Sequence, residues 1–339
     1  MSVKLKIIIT IVLSTASIFL CTALGSVSIA INDIFRILSH VIFGAELPSH
    51  LTSANVSIVW NLRLPRVFLA FIAGSTLSVS GAVMQSILRN PLASSYTLGV
   101  SSGASLGASL VIFLGVSLPI MSMLSLPILG FIFGLGSMIL AMAFASRLDG
   151  RMENQTIILV GMVFSLFINA LTTLMFALYR ESIQRMIYWQ MGSFSMRDWQ
   201  AIYILFPLAL AGIVYVSRFR WELDVLSFGE EQGESIGVNS RRVKLKLLVS
   251  SAALTGSTIA FVGVIGFVDL VTPHVIRKIF GSSHKYVIPM SAIAGGAFMA
   301  LCDLAARMAV PSVELPVGAV TALIGAPFFA YVYFSKRKS

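Results

Sequence analysis

Residues 90–146 form an unbroken run of 57 positions without a single Asp, Glu, Lys or Arg. A helix crosses the hydrocarbon core of a bilayer with about 20 apolar residues, so this run is long enough for two crossings. It divides at Gly115-Val116-Ser117-Leu118-Pro119, which predicts spans near 96–114 and 119–146. Further charge-free runs cover 7–32, 67–88, 154–179, 199–217, 247–268, 286–302 and 315–335. A short apolar piece, 270–281, follows Asp269 and brings the expected spans to ten. The composition agrees, with 57% hydrophobic residues, 11% charged and a mean hydropathy of +0.91. An ordinary soluble domain carries about 25% charged residues. Water-soluble enzymes, nucleic-acid binders and disordered chains are therefore excluded.

The net charge of +10 reads as loop asymmetry across a membrane. With ten spans and the N-terminus inside, 17 of the 24 Lys and Arg fall on the cytoplasmic side and 7 outside. Nine spans would put Lys336-Arg337-Lys338 outside, against the positive-inside rule. The expectation is an all-α polytopic membrane protein with ten transmembrane helices and both termini cytoplasmic. It forms one transmembrane domain over 1–339, with a retained first span at 7–31. Lys4 and Lys6 before that span imitate a signal peptide, but the apolar stretch exceeds the usual 7–15 residues of such leaders. Trp60, Trp189, Trp199 and Trp221 fall at expected span ends, where interfacial tryptophans sit. Cys21 and Cys302 lie inside apolar runs without metal-site spacing.

Two stretches match at an offset of 182 residues. Gly74-Ser75-Thr76 corresponds to Gly256-Ser257-Thr258, Gly81 to Gly263, Pro91 to Pro273 and Gly99 to Gly281. An odd number of spans separates the copies, so the repeat halves, about 60–180 and 244–335, run in opposite directions. Inverted repeats with interrupted segments are a transporter signature, which makes Pro91 and Pro273 the expected helix breaks. Kinks that only permit close helix packing account for the same residues without a pathway.

The chain has no phosphate-binding GxxxxGK[ST] loop and not one Gly-Lys pair. It also offers no Asp or Glu inside its charge-free runs. Asp269, expected in solvent near the outer mouth, is the best candidate for a coupling carboxylate in an ion-driven carrier. Asp303 and Arg307 stand four apart and are expected to pair. His40, His50, His274 and His284 are scattered, so no catalytic or metal cluster is expected. The largest cytoplasmic loop, 218–246, holds Gly229-Glu230-Glu231, Glu234 and Ile236-Gly237-Val238. Acidic residues suit the start of a short helix, Gly237 its end, and Ile236 and Val238 offer apolar anchors to another protein. A solvated connecting helix is the alternative.

Several motifs together carry a resemblance. They are Leu62-Arg63-Leu64-Pro65-Arg66, Arg89-Asn90-Pro91-Leu92-Ala93, Leu98-Gly99-Val100-Ser101-Ser102-Gly103-Ala104 and the 229–238 segment. Gly266-Phe267-Val268, Pro273-His274 with Arg277, Glu314-Leu315-Pro316-Val317-Gly318 and Thr321-Ala322-Leu323-Ile324-Gly325-Ala326-Pro327 complete them. The chain resembles the FecCD-type permeases of type II ABC importers for iron–siderophores, haem and vitamin B12.

The resemblance implies a multi-pass subunit of the bacterial inner membrane that binds no cofactor itself. It pairs with a second permease chain, identical or paralogous, and is not an enzyme. Two cytoplasmic ATPase subunits bind ATP and magnesium, and an extracytoplasmic binding protein delivers cargo. Residues 228–238 resemble the ATPase-coupling element. Arg63, Arg66 and Arg307 match outer arginines that receive two glutamates of the binding protein. Asn154 and Gln155 correspond to an inner gate, or cap a helix start. Asn169, Met175, Gly325 and Pro327 fall on the helices that line the path, with ordinary packing as the alternative for Asn169 and Met175. The sequence departs from the family where Ser94-Ser95 replace Asp-Pro, where Asp269 replaces a small residue, and at Gly233 and Glu234.

Overall fold

The computed structural model describes residues 2–335 other than 26, 28, 120, 151, 311 and 312. Arg151 and Lys336, Arg337 and Lys338 of the charge count lie outside the described residues. The described residues are all-helical. α1 (Val3–Ala23) and α2 (Ile31–Phe43) are followed by α3 (Ser53–Ser57), which continues through a π-helical segment, Ile58–Arg63, into α4 (Leu64–Ile87). Then come α5 (Val100–Leu114), α6 (Ser125–Leu148), α7 (Asn154–Leu178), α8 (Ile183–Gln190) and α9 (Trp199–Ser217). Two short helices, α10 (Arg220–Leu226) and α11 (Glu230–Ser235), precede α12 (Ser240–Val262), α13 (Val268–Phe280), α14 (His284–Met308) and α15 (Val317–Ser335). Among the described residues, seven helices are long and apolar enough to cross a membrane: α1, the continuous α3–α4, α6, α7, α9, α12 and α14. α5, α13 and α15 are shorter.

α4 is the axis of the bundle, buried along nearly its whole length and packed on α14, α12, α13 and α9. Its sequence explains the position. Small residues let helices approach closely where no hydrophobic force separates lipid from protein. A Cβ on Gly74 would lie 2.1 Å from the Gly295 carbonyl oxygen of α14. Hydroxyls then bond across the contacts. Ser75 Oγ donates to Ala292 O at 2.8 Å and Ser80 Oγ to Ser251 O at 3.0 Å. Large apolar side chains point the other way: Tyr203 on α9 is 70% exposed and Leu140 on α6 59%, as expected of residues that face lipid.

The residues matched in sequence take different places. Thr76 and Thr258, matched at the 182-residue offset, hydrogen-bond to each other at 2.6 Å, so equivalent positions of α4 and α12 meet. The ungapped register ends there. Pro91 lies in the irregular stretch after α4, whereas Pro273 sits inside α13 and does not break it. Gly99 precedes α5, while Gly281 terminates α13. The actual breaks are 88–99 and 263–267. Each ends on a left-handed residue, Gly99 (φ 96°) and Phe267 (φ 69°), from which a short helix starts.

Span boundaries also shift. The first helix stops at Ala23, not near residue 31, because Arg63 binds its terminal carbonyls. Lys6 lies within α1 and donates to Ile279 O at 2.5 Å. Lys244 is no loop residue: it lies in the first turns of α12 and is 1% exposed. Trp60 and Trp199 pack as a tilted pair with centroids 5.1 Å apart, whereas Trp189 is buried in the chain's own fold.

Candidate functional site

Candidate residues gather at three places. At one end of the bundle, the segment between α9 and α12 folds as α10 and α11. Glu230, at the start of α11, pairs with Lys244 at 2.5 Å, and Lys244 also donates to Met152 O at 3.0 Å. A buried ammonium with two acceptors pins α11 to α12 and to the chain entering α7. Gly229 (φ 143°) and Gly237 (φ 89°) turn the chain on either side of α11. Glu231 and Glu234 are exposed. Val238, expected as an anchor for a partner, is buried in the chain's own fold at 6% exposure, where its N–H bonds Gly233 O. Ile236 is 56% exposed and Phe228 77%. Phe228, the more exposed of the two, was not singled out from the sequence; an aromatic before the glycine of a polar helix start was its only signal.

At the opposite end, Arg63, Arg66, Arg197, Arg307 and Glu314 line a pocket of about 430 Å³. All three arginines singled out from the sequence are engaged within the chain. Arg63, 5% exposed, donates to Thr22 O at 3.0 Å, to Ala23 O at 2.9 Å and to Val27 O. Arg66 forks onto Asp303, with Nε–Oδ2 at 2.9 Å and Nη2–Oδ1 at 2.7 Å, and also pairs with Glu314. Arg307 donates to Cys21 O and approaches Asp303 at 3.7 Å, the expected four-apart pair. Arg197 was not foreseen. Burial pulls its pKa down, partly offset by Asp198.

Between the two ends, the breaks 88–99 and 263–267 meet in the core. Ser94 Oγ donates to the Asp269 carboxylate, and Tyr96 OH to Ile265 O. Asp269 is 3% exposed, not solvated at a mouth as expected. Ser94 and Asp269, two of the positions at which the sequence departs from the pattern that its resemblance implies, touch one another, and the carboxylate sits at the positive start of α13. Gly81 of α4 seats on the same point; a Cβ there would lie 1.9 Å from Asp269 O.

The remaining candidates divide. Asn154 opens α7 without capping it, since Glu153 occupies the cap position and makes no side-chain bond there; Gln155 is exposed. Asn169 is exposed on the face of α7 that carries Leu166 and Phe167. Met175 packs inward, with Ser109 Oγ 3.0 Å from its sulfur. Gly325 of α15 is buried against Phe267, with a would-be Cβ 2.5 Å from that side chain, while Pro327 is exposed. Among the described residues, no cluster of three or more His, Cys, Asp or Glu could hold a metal ion.

Comparison with known proteins places this architecture. The chain is 38% identical over 322 residues to the uncharacterised ABC transporter permease protein YvrB of Bacillus subtilis, covering 95% of this chain and 91% of that one. It is 34% identical to the hemin transport system permease protein HmuU of Yersinia pestis, covering 85% and 87%. Others in the same range are iron(III)-citrate and vitamin B12 import permeases. A solved ABC transporter described as of the metal-chelate type, in an inward-facing conformation, matches with a TM-score of 0.84 at 28% identity, covering 97% of this chain and 99% of that one. The FecCD transport family matches residues 10–335, and the chain belongs to that family.

Proposed function

We propose that the chain is the membrane-spanning permease subunit of a binding-protein-dependent ABC importer. Its cargo is an iron chelate of the siderophore type or a related haem or corrinoid. ATP is hydrolysed on a partner. The family supports the subunit type, and the 220–238 segment carries the reading at residue level. There, two short helices are pinned to the bundle by Glu230–Lys244 and hold Phe228 and Ile236 out to solvent. Exposed apolar anchors on a rigid, acidic platform suit a groove on a separate ATPase. Glu231 and Glu234 add charge for orientation, while Glu230 is occupied internally.

In this reading α1, α4, α5, α6, α7, α9, α12, α13, α14 and α15 are the ten spans, with both termini and the 220–238 segment on the cytoplasmic side of the inner membrane. The arginine-lined pocket then faces outward. Arg66 receives a binding-protein carboxylate by exchanging away from Glu314, the more exposed of its two acidic partners, and Arg307 stands beside it in the same pocket. The faces of α7 and α15 that carry Asn169, Leu323 and Ile324 line a path shared with a second permease chain, and Asn154 and Gln155 stand at its inner end. An ion-coupled carrier would need Asp269 in reach of water; its burial against Ser94 removes that support.

Affinity purification of the chain, expressed with its neighbouring genes, tests the proposal through intact-complex mass and proteoliposome uptake. Two ATPase chains per complex and ATP-dependent uptake are expected. A chain that purifies alone and moves cargo on an ion gradient would overturn the reading.

A further inference from the structure

One set of polar groups runs from half-buried Asp224 in the ATPase-facing segment into the bundle. Asp224 belongs to α10, outside the 228–238 residues with an assigned role. Its Oδ1 accepts from the backbone N–H of His284 at 2.8 Å and meets His284 Nδ1 at 2.6 Å, and Ser283 Oγ donates to Oδ2 at 3.2 Å. The far side of the same ring, Nε2, lies 2.6 Å from Ser86 Oγ on α4. Arg277 of α13 donates to Ser86 Oγ at 3.1 Å and Ala82 O at 2.9 Å, and bonds Gln85 Oε1. Gln85 Nε2 in turn donates to Asp269 O at 3.1 Å. That carbonyl is the one Pro273, four residues on, cannot bond for want of an N–H. The line ends where Ser94 binds the Asp269 side chain, at the meeting of the two chain breaks.

We propose that His284 is a positioning residue for coupled transport: the Asp224–His284–Ser86 joint carries movement of the ATPase-facing segment to the break before α13. This rests on the permease reading above. Burial supplies the force. His284 is 2% exposed, so if α10 moves alone its N–H and ring Nδ1 lose their Asp224 partner inside the bundle, and the Ser86 and Gln85 bonds beyond it, at 9% and 4% exposure, hold the ring's far side in place. Side chain and helix therefore travel together. At the other end of the line the backbone is weakest, because α13 lacks one internal hydrogen bond at Pro273 and borrows Gln85 instead. A pocket of about 690 Å³, lined by Ser86, Ser227, Arg277 and His284, lies beside the joint and leaves room for the ring to shift.

The test uses the complete importer, with its ATPase and loaded binding protein, in proteoliposomes. Uptake and ATP hydrolysis are measured on the same preparation for wild type, Asp224→Ala, His284→Phe and Asp224→Asn. Asn keeps an oxygen for the His284 N–H and ring, so it is the conservative control. We expect uptake per ATP hydrolysed to fall about fivefold or more in Asp224→Ala and His284→Phe, the lower end of typical coupling between sites. Asp224→Asn should restore the ratio, and the KM for ATP should stay at the wild-type value throughout. An unchanged ratio, uptake and hydrolysis falling in step, or failed assembly that Asp224→Asn does not restore would each overturn the proposal. A wild-type complex that hydrolyses ATP without uptake would instead refute the permease reading, and the joint's role with it.

Discussion

Arg63 separates two roles that the sequence could not distinguish, reception of a partner's carboxylate and closure of a helix end. Thr22 O and Ala23 O are among the last four carbonyls of α1, which lack intrahelical partners. Arg63 serves both, and its guanidinium fills the space beside Gly25, where a Cβ would lie 2.6 Å from Nη2. Each hydrogen bond to a charged group is worth about 1.5–3 kcal/mol. Two such bonds, less the desolvation recovered when an unpaired buried cation is removed, leave about 2–4 kcal/mol for Arg63→Ala. In a chain of this length, with about 2.1 cal/mol/K of unfolding entropy per residue, that corresponds to a fall of about 3–6 °C in the unfolding midpoint. Arg63→Lys should recover part of the loss, since one ammonium reaches fewer of the three carbonyls. The assay is thermal unfolding of the detergent-purified chain by size-exclusion chromatography, with binding-protein affinity measured in parallel. A midpoint within about 1 °C of wild type, joined to an affinity loss of about tenfold, would refute the reasoning and make Arg63 a recognition residue.

Other outcomes follow from the same geometry. Ser94→Asp should set two carboxylates against each other in the core and lower both the folded yield and uptake, and adding Asp269→Gly should restore them; equal loss in single and double variants would refute the compensation. Gly81→Val should cost about 1–3 kcal/mol by thermal unfolding, because α13 backbone occupies the space of any side chain; a neutral result would show that the α4–α13 contact is looser than described. Phe228→Ser with Ile236→Ser should weaken ATPase co-purification while leaving the chain's own unfolding midpoint unchanged, since both side chains are exposed. Lys244→Ala should do the reverse in part, lowering the midpoint through the orphaned Met152 carbonyl and loosening α11; a midpoint equal to wild type would count against the buried pin.

Much of the fold was legible because a bilayer imposes long apolar runs, and a run of 57 uncharged residues is far longer than a water-soluble fold of ordinary composition carries. Helix existence and the long apolar spans follow from local composition, and the family from its motifs. What composition could not reach is how far charge penetrates. Lys6 and Asp303 sit inside helices although they bound charge-free runs, and Lys244, just before another, is buried in α12, because each has a partner contributed by another part of the chain. The same applies to the repeat. Gly and Pro identities at one spacing placed Pro273 at a break, but a proline is tolerated within a helix when a neighbour takes its orphaned carbonyl, and Gln85 does so.

The sequence alone determined that this chain lives in a membrane, which helices it forms, and which residues deserved attention. Tertiary structure decided what those residues do. Arg63 and Val238 look like surface contacts in one dimension and are interior ones in three; Asp269 looks solvated and is buried. Ser94 and Asp269, 175 positions apart, became a single feature only when two broken helices brought them together. The physical reason is the cost of an unsatisfied polar group away from water: it forces each buried charge and carbonyl to find a partner, and that partner is chosen by packing rather than by proximity along the chain.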